Sequence, residues 1–496
     1  MNMILNAYFK KKLKEKKVSV EELITKSKTS KSTIYRVMNG LQKPSEDLKK
    51  KLFKILKMEH KEQQELSYLF STFNVDKNIL EARESINNFL FHNKIAPPNK
   101  IELVYYDGEK YVRSFNDILE NIKAVSHKSD FSCRFKMVNC VQNDIISHIT
   151  SAVEELLAKN DSNEPIHIEH IVAFSSNDYK ENINTLSSII PLLTLGNYTL
   201  KYKEEEKTSK HGFFHDFLSI DFSYRNDAGD LVETAYYITF LPDNLSVCYV
   251  VHGSAGHLHD FFNRNYDSLN QKNQSALSSR RCLVDYASNI RELYSKYNDY
   301  LFRPDIPLSR IPLDVYQSVL SRTPTEEFIR YFLQVEFDEK TPEHYLEELT
   351  SCAQSVIEAT YINKQVDFYT KTGLESFASS GLLLDHLEHF PPLNKSEIKA
   401  VLESLKARDL DPKDPLSIMI LDESYVDNGL EIAALEDYGL LIEKYADSNT
   451  PYCIIENKNL SKLFVDYAKH YVPYKMSITQ KEAHDFIDLL IEKYCS

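Results

Sequence analysis

The chain has no tryptophan, only 11 glycines and only seven cysteines in 496 residues. So few glycines leave little room for backbone loops that cradle phosphates. There is no Walker loop, no dinucleotide fingerprint and no G-x-S-x-G elbow, and H-E-x-x-H is missing too. The cysteines (133, 140, 248, 282, 352, 453 and 495) form no C-x-x-C pair and are odd in number, as suits reduced thiols packed as small hydrophobes. No apolar run approaches the roughly 20 residues that span a bilayer, and the N-terminus lacks the apolar stretch of a signal peptide. These absences point to a soluble cytoplasmic protein with no membrane partner, no cofactor and no enzymatic signature.

What is present is a charge discontinuity. Residues 1–61 carry a formal +11, residues 62–496 carry −25, and the total of −14 hides the basic module inside an acidic chain with a pI near 5.7. A concentrated positive face on a small module is the electrostatic footprint of something that neutralises phosphates.

Residue order inside that module sharpens the reading. A first helix carries Ile4, Phe9 and Leu13. Ser19 caps a second helix with Glu22 as its capping-box partner, and Leu23 and Ile24 face inward. Ser30 caps a third helix from Lys31 to Met38, which Asn39-Gly40 terminates. Pro44 and Ser45 open a fourth, where Leu48, Leu52, Ile55 and Leu56 recur at helical spacing.

The run Ser19-Val-Glu-Glu-Leu-Ile-Thr-Lys-Ser-Lys-Thr-Ser-Lys-Ser-Thr-Ile-Tyr-Arg-Val-Met-Asn-Gly40, with Lys43-Pro44-Ser45 behind it, resembles the Cro/phage-repressor (XRE) helix-turn-helix family over about the first 60 residues. The resemblance implies a recognition helix from Lys31 to Asn39 lying in the major groove of double-stranded DNA. By position, Lys31, Ser32, Thr33, Tyr35 and Arg36 would face DNA while Ile34 and Val37 face the core. Ser19, Ser30, Asn39 and Lys43 complete the candidate DNA-binding set, with Lys43 as a phosphate contact. The sequence departs from the family where it carries Ile24 for a small residue, Lys28 for Gly and Val20 for Gln.

Beyond residue 62 helical spacing continues through Leu66, Leu69, Phe70 and Ile79 to about Phe91, and Ala96-Pro-Pro-Asn99 breaks it. A strand and turn are expected at 101–108, a helix at Phe115–Val125, and a longer one from Met137 to Leu157. The period then changes to two. Segments 166–174, 198–202, 217–224, 233–240 and 245–251 are rich in β-branched and aromatic residues, with turns at Asn226–Asp230 and Pro242–Asn244. The last third shows helical spacing at His344–Tyr361, Lys395–Ala407 and Thr479–Tyr494, with short strands at 417–421, 430–435 and 452–456. No repeat of 34 to 45 residues occurs.

The expected fold class is α+β. It comprises an all-α helix-turn-helix domain (1–70), a helical linker (71–99), a mixed α/β regulatory domain (100–300) and a mostly helical C-terminal domain (301–496).

Histidines offer the one hint of chemistry in the body. His252, His257, His259 and Asp260 cluster with two glycines after a strand, and the pairs His167/His170 and His211/His215 have spacings a metal could use. None completes a defined signature, so no metal and no catalytic residue is assigned. Tyr236, Tyr237 and Tyr249 read as sheet core.

The sequence therefore points to a transcriptional regulator. A lone helix-turn-helix reads only a few base pairs, so a homodimer on a palindromic operator is expected, with a small-molecule or peptide effector sensed by the large body. The alternatives are an enzyme or a protein-interaction adaptor carrying an accessory helix-turn-helix.

Overall fold

The computed structural model describes residues 2–92, 101–106, 110–159, 166–175, 178–193, 195, 198–205, 217–241, 244–252, 263–264, 266–267, 274–275, 277–279, 283–323, 342–383, 390–425, 430–444 and 452–496. It is a mixed α+β protein with a helical head and two mixed sheets.

The head consists of α1 (Asn2–Glu15), α2 (Val20–Ser27), α3 (Lys31–Met38), α4 (Glu46–Ile55) and α5 (His60–Ser71). Serines start three of these helices. The Ser19, Ser30 and Ser45 hydroxyls accept from the amides of Glu22, Thr33 and Leu48 at 3.1, 3.1 and 3.2 Å. Each satisfies an amide that the helix itself leaves without a partner. Phe9, Leu13, Leu23, Ile34, Val37, Leu52, Leu56, Leu66 and Phe70 close a core belonging to the head alone. Lys12 is buried beside it because its ammonium reaches Glu62 at 2.8 Å, and Lys16 reaches the same carboxylate at 2.8 Å. Those two hydrogen bonds hold the Glu62 carboxyl down at about 2.

The continuous helix expected from residue 62 to Phe91 is broken. Asn74 sits at φ +57°, and α6 begins at Lys77 and runs to Phe91. Nor does α6 behave as a free linker. Ala82, Ile86, Phe89, Leu90 and Phe91 enter the large core shared by both sheets. The expected break at Ala96–Asn99 lies outside the described residues.

The first sheet has nine strands: β1 (Glu102–Tyr106), β2 (Lys110–Ser114), β3 (Ser132–Val138), β4 (Ile166–Ser175), β5 (Tyr198–Glu205), β6 (Phe217–Arg225), β7 (Leu231–Leu241), β8 (Asn244–His252) and β9 (Gln274–Ser275), in the order β2-β1-β8-β7-β6-β3-β4-β5-β9. The helix α7 spans Phe115–Val125, the span its spacing suggests, with Ser114 and Asp117 forming a capping box. β3, β4 and β5 run parallel, joined by α8 (Asn143–Lys159) and α9 (Tyr179–Leu193). The helix expected from Met137 is thus corrected. Cys133, Phe135 and Met137 alternate on a strand, and the helix starts only at Asn143. Tyr236 and Tyr237 are buried as expected.

The second sheet has seven strands: β10 (Leu277–Ser279), β11 (Asp299–Phe302), β12 (Gln365–Thr370), β13 (Leu416–Leu421), β14 (Leu430–Leu435), β15 (Gly439–Lys444) and β16 (Tyr452–Ile455), in the order β10-β16-β15-β14-β11-β12-β13. Around it lie α10 (Leu283–Lys296), α11 (Leu313–Ser321), α12 (Pro342–Ala359), α13 (Lys371–Ser380), α14 (Lys395–Leu410), α15 (Lys458–His470), α16 (Val472–Lys475) and α17 (Gln480–Cys495). The last third is helix-rich, yet its helices surround a sheet of which β10, β11, β12 and β15 were not expected. The chain passes from one sheet to the other between Ser275 and Leu277, upstream of the expected boundary at 300.

Both faces of this sheet are covered, and charge is buried within it. The Arg310 guanidinium grips Asp367 through Nε (2.7 Å) and Nη2 (2.9 Å) and reaches Asp299 at 3.4 Å, all three side chains being fully buried. Tyr369 donates to Asp367 at 2.6 Å, and Arg303 pairs with Asp305 and Glu431.

Burial pushes the Asp299 carboxyl up to about 7, against the pull of the Arg310 guanidinium. The native state therefore holds a proton that the unfolded chain releases near pH 4. Stability from this group is present at low pH and falls as pH rises toward 7. Asp299→Asn is expected to flatten that decline, by on the order of 4 kcal/mol at most between pH 4 and 8. Urea unfolding of both proteins across that range reads it, and parallel stability curves would refute it.

Candidate nucleic-acid interface

The third helix divides its residues cleanly. Ile34, Val37 and Met38 are buried in the head core, while Lys31, Ser32, Tyr35 and Arg36 are exposed. Eight residues capped at both ends allow this, because 3.6 residues per turn place 34, 37 and 38 on one face and 32, 35 and 36 on the other. Tyr35 is 39% exposed, and the Lys31 ammonium lies 6.0 Å from its ring centroid. Lys31 and Arg36 make no ion pair among the described residues, so their charges face outward uncompensated. Thr33 is half-buried, its hydroxyl 2.8 Å from that of Ser30, so both belong first to the helix start. Ser19 likewise serves the start of α2.

The turn between α2 and α3 puts a lysine, not a glycine, in a left-handed conformation. Lys28 adopts φ +54°, ψ +39°, and its amide bonds back to the α2 carbonyls of Ile24 and Thr25. Only glycine takes this left-handed conformation without steric cost. At the far end Gly40 has φ +66° and releases the chain from α3.

Two members of the candidate set have neighbours outside α3. The Asn39 amide oxygen accepts from the Asn6 side chain, which ties α3 to α1. Lys43 is exposed but stands near the body. Burial lowers the affinity of His470 for its proton, and Lys43 is among the cations that reinforce this. No sequence signal shows this proximity, because the partners are more than 400 positions apart.

The head sits on the C-terminal region through α5 and α6. Gln64 donates to the carbonyls of Pro473 and Ser477 at 3.2 and 2.9 Å, and Tyr68 meets Tyr471 edge to face at 5.6 Å. The Lys475 ammonium lies 4.4 Å from the Tyr68 ring centroid. On α6, Arg83 is buried and grips Asp466 at 2.7 and 3.1 Å, and Asn87 accepts from Tyr467 at 2.9 Å. The contacts therefore fall on α5 and α6, with Lys49 of α4 5.8 Å from the Tyr474 ring centroid, and leave the outward face of α3 exposed.

Among the described residues the histidines of the body do not converge. His170 is fully buried, 3.0 Å from the Tyr198 hydroxyl, and burial lowers it to about 3. His167 is exposed on the opposite face of the same strand, so the pair cannot share a metal. His211, His215, His257, His259 and Asp260 lie outside the described residues, and His252 ends β8. Among the described residues no group of three acidic, histidine or cysteine side chains could hold a metal ion, and no helix is long and apolar enough to cross a membrane.

No protein-family model matches the chain, and no curated protein is similar to it.

Proposed function

We propose that this protein is a sequence-specific DNA-binding transcriptional regulator that reads palindromic operator DNA as a homodimer through its N-terminal helix-turn-helix. The body supplies dimerisation and effector sensing. One observation carries the reading: a serine-capped helix buries Ile34, Val37 and Met38 and presents Lys31, Ser32, Tyr35 and Arg36 outward, in a module of formal charge +11. An arginine and a lysine on one exposed helix suit bidentate contact with guanine and phosphate neutralisation. The acidic remainder is repelled by DNA, which leaves contact to the head.

Selection from a random duplex library with the full-length protein is expected to return a palindrome with half-sites about one helical turn apart. Arg36→Ala should then cost about 1–3 kcal/mol on the selected site and relax preference at one base position. Equal losses on selected and random duplexes would demote Arg36 to a phosphate contact. A library that returns no enriched site would defeat the reading itself.

A further inference from the structure

Parallel strands are ordinarily covered on both faces, because their crossover helices and a second layer exclude water. Among the described residues β3, β4 and β5 are fully covered on one face and only partly on the other, where Val138 and Ile171 are buried with Phe217 and Tyr266 while Arg134 and His167 stay exposed. One face carries Phe135, Met137, Ile168 and Leu200 into the core shared with α8 and α9. On the other, the register sets Arg134 beside His167, Lys136 beside Glu169, and Glu169 beside Thr199. There Arg134, His167, Glu169, Thr199, Lys201 and Tyr266 line a depression of about 200 Å³.

The charges in it are unusual for this chain. Residues 62–496 carry a formal −25, yet this patch of sheet gathers three permanent cations, Arg134, Lys136 and Lys201, beside the carboxylates of Glu169, the neighbouring Asp221 and Asp267 next to Tyr266. Glu169 is already engaged, 3.6 Å from Arg134 and hydrogen-bonded by the Tyr266 hydroxyl. Lys136 is 8% exposed, and its ammonium meets a neutral amide oxygen, that of Asn263 at 2.5 Å, and the Tyr266 ring at 5.4 Å. Among the described residues no carboxylate forms an ion pair with Lys136, and a cation so far from water favours an anion nearby. Tyr266, beside that ammonium, also lines the depression.

We infer that this face is a binding site for a small dianionic ligand, of which a phosphate monoester is the simplest. Arg134 and Lys201 would take the phosphate oxygens from strands on either side of β4, with His167 donating through a ring N–H. Thr199 and Tyr266 contribute hydroxyls to orient the group that carries it. The inference concerns the body alone and stands whether or not the head binds DNA.

Inorganic phosphate is the probe, titrated into the full-length protein by calorimetry and thermal unfolding, with sodium chloride at matched ionic strength as reference. Saturable binding is expected, with a rise in melting temperature that chloride does not produce. Replacing exposed Arg134 and half-buried Lys201 together (Arg134→Ala/Lys201→Ala) should weaken binding at least tenfold while keeping the far-ultraviolet spectrum, and Lys399→Ala on α14 should not. Phosphate acting no better than chloride, or binding the double variant as well as the parent, overturns the assignment. DNA binding measured on the same variants separates this failure from failure of the regulator reading.

Discussion

Raising salt from 50 to 200 mM is expected to weaken operator binding by the full-length protein by about 10³–10⁵-fold. The estimate follows from counterion release: neutralising roughly 6–10 phosphates gives a slope of log K on log salt near −0.9 per contact. Two heads can supply that number, since each carries a formal +11 and the lysines 10, 11, 14, 17, 26, 28, 31, 43, 50, 54 and 57 are exposed. Charges already paired within the head, such as Lys12 and Lys16 on Glu62, contribute little. Anisotropy titrations at four salt concentrations measure the slope. A flat response would mean that the basic module docks on something other than a duplex, as an adaptor would.

Arg310→Met is expected to cost about 3–5 kcal/mol of stability, the usual consequence of removing one partner from a buried ion pair. Methionine fills similar volume, so the loss is electrostatic rather than a cavity. Asp367, which accepts from Arg310 twice and from Tyr369 once, would keep only the tyrosine, and Asp299 would lose the guanidinium that favours its charge. Adding Asp367→Asn should recover much of the loss, because a neutral amide leaves no uncompensated charge. Urea unfolding of the two variants decides it. A single-variant loss below about 1 kcal/mol would show that the charge network is not what holds the centre of the second sheet.

Legibility followed the range of the interactions. Ser19, Ser30 and Ser45 cap helices that their own next three residues complete, and the β6–β7 hairpin turns where Asn226-Asp-Ala-Gly-Asp230 says it should. The C-terminal helices at Lys395 and Gln480 begin at local capping boxes within a residue of where spacing places them. Errors arose where a segment depends on a distant partner. Met137, Val141 and Ile145 sit four apart and imitate a helix, whereas Met137 belongs to a strand aligned with β4 and β6. β12 escaped notice because Gln365, Asp367 and Thr370 are polar, and nothing nearby in sequence shows that Arg310 makes such burial tolerable. The polar outer face at Arg134 and His167 was legible as alternation but not as a site, since three strands must align to assemble it.

By itself, the sequence determined the head: its charge, its capped helices, and the division of the third helix into an inward apolar side and an outward cationic one, all set by contacts between near neighbours. Only tertiary structure decided that α6 is locked to α15 by Arg83 and Asp466, that carboxylates and guanidiniums lie buried in the second sheet, and that the head rests on α16 with its third helix turned outward. Burying a charge is tolerable only when its counter-charge arrives from another part of the chain, and residue order carries no record of that arrival.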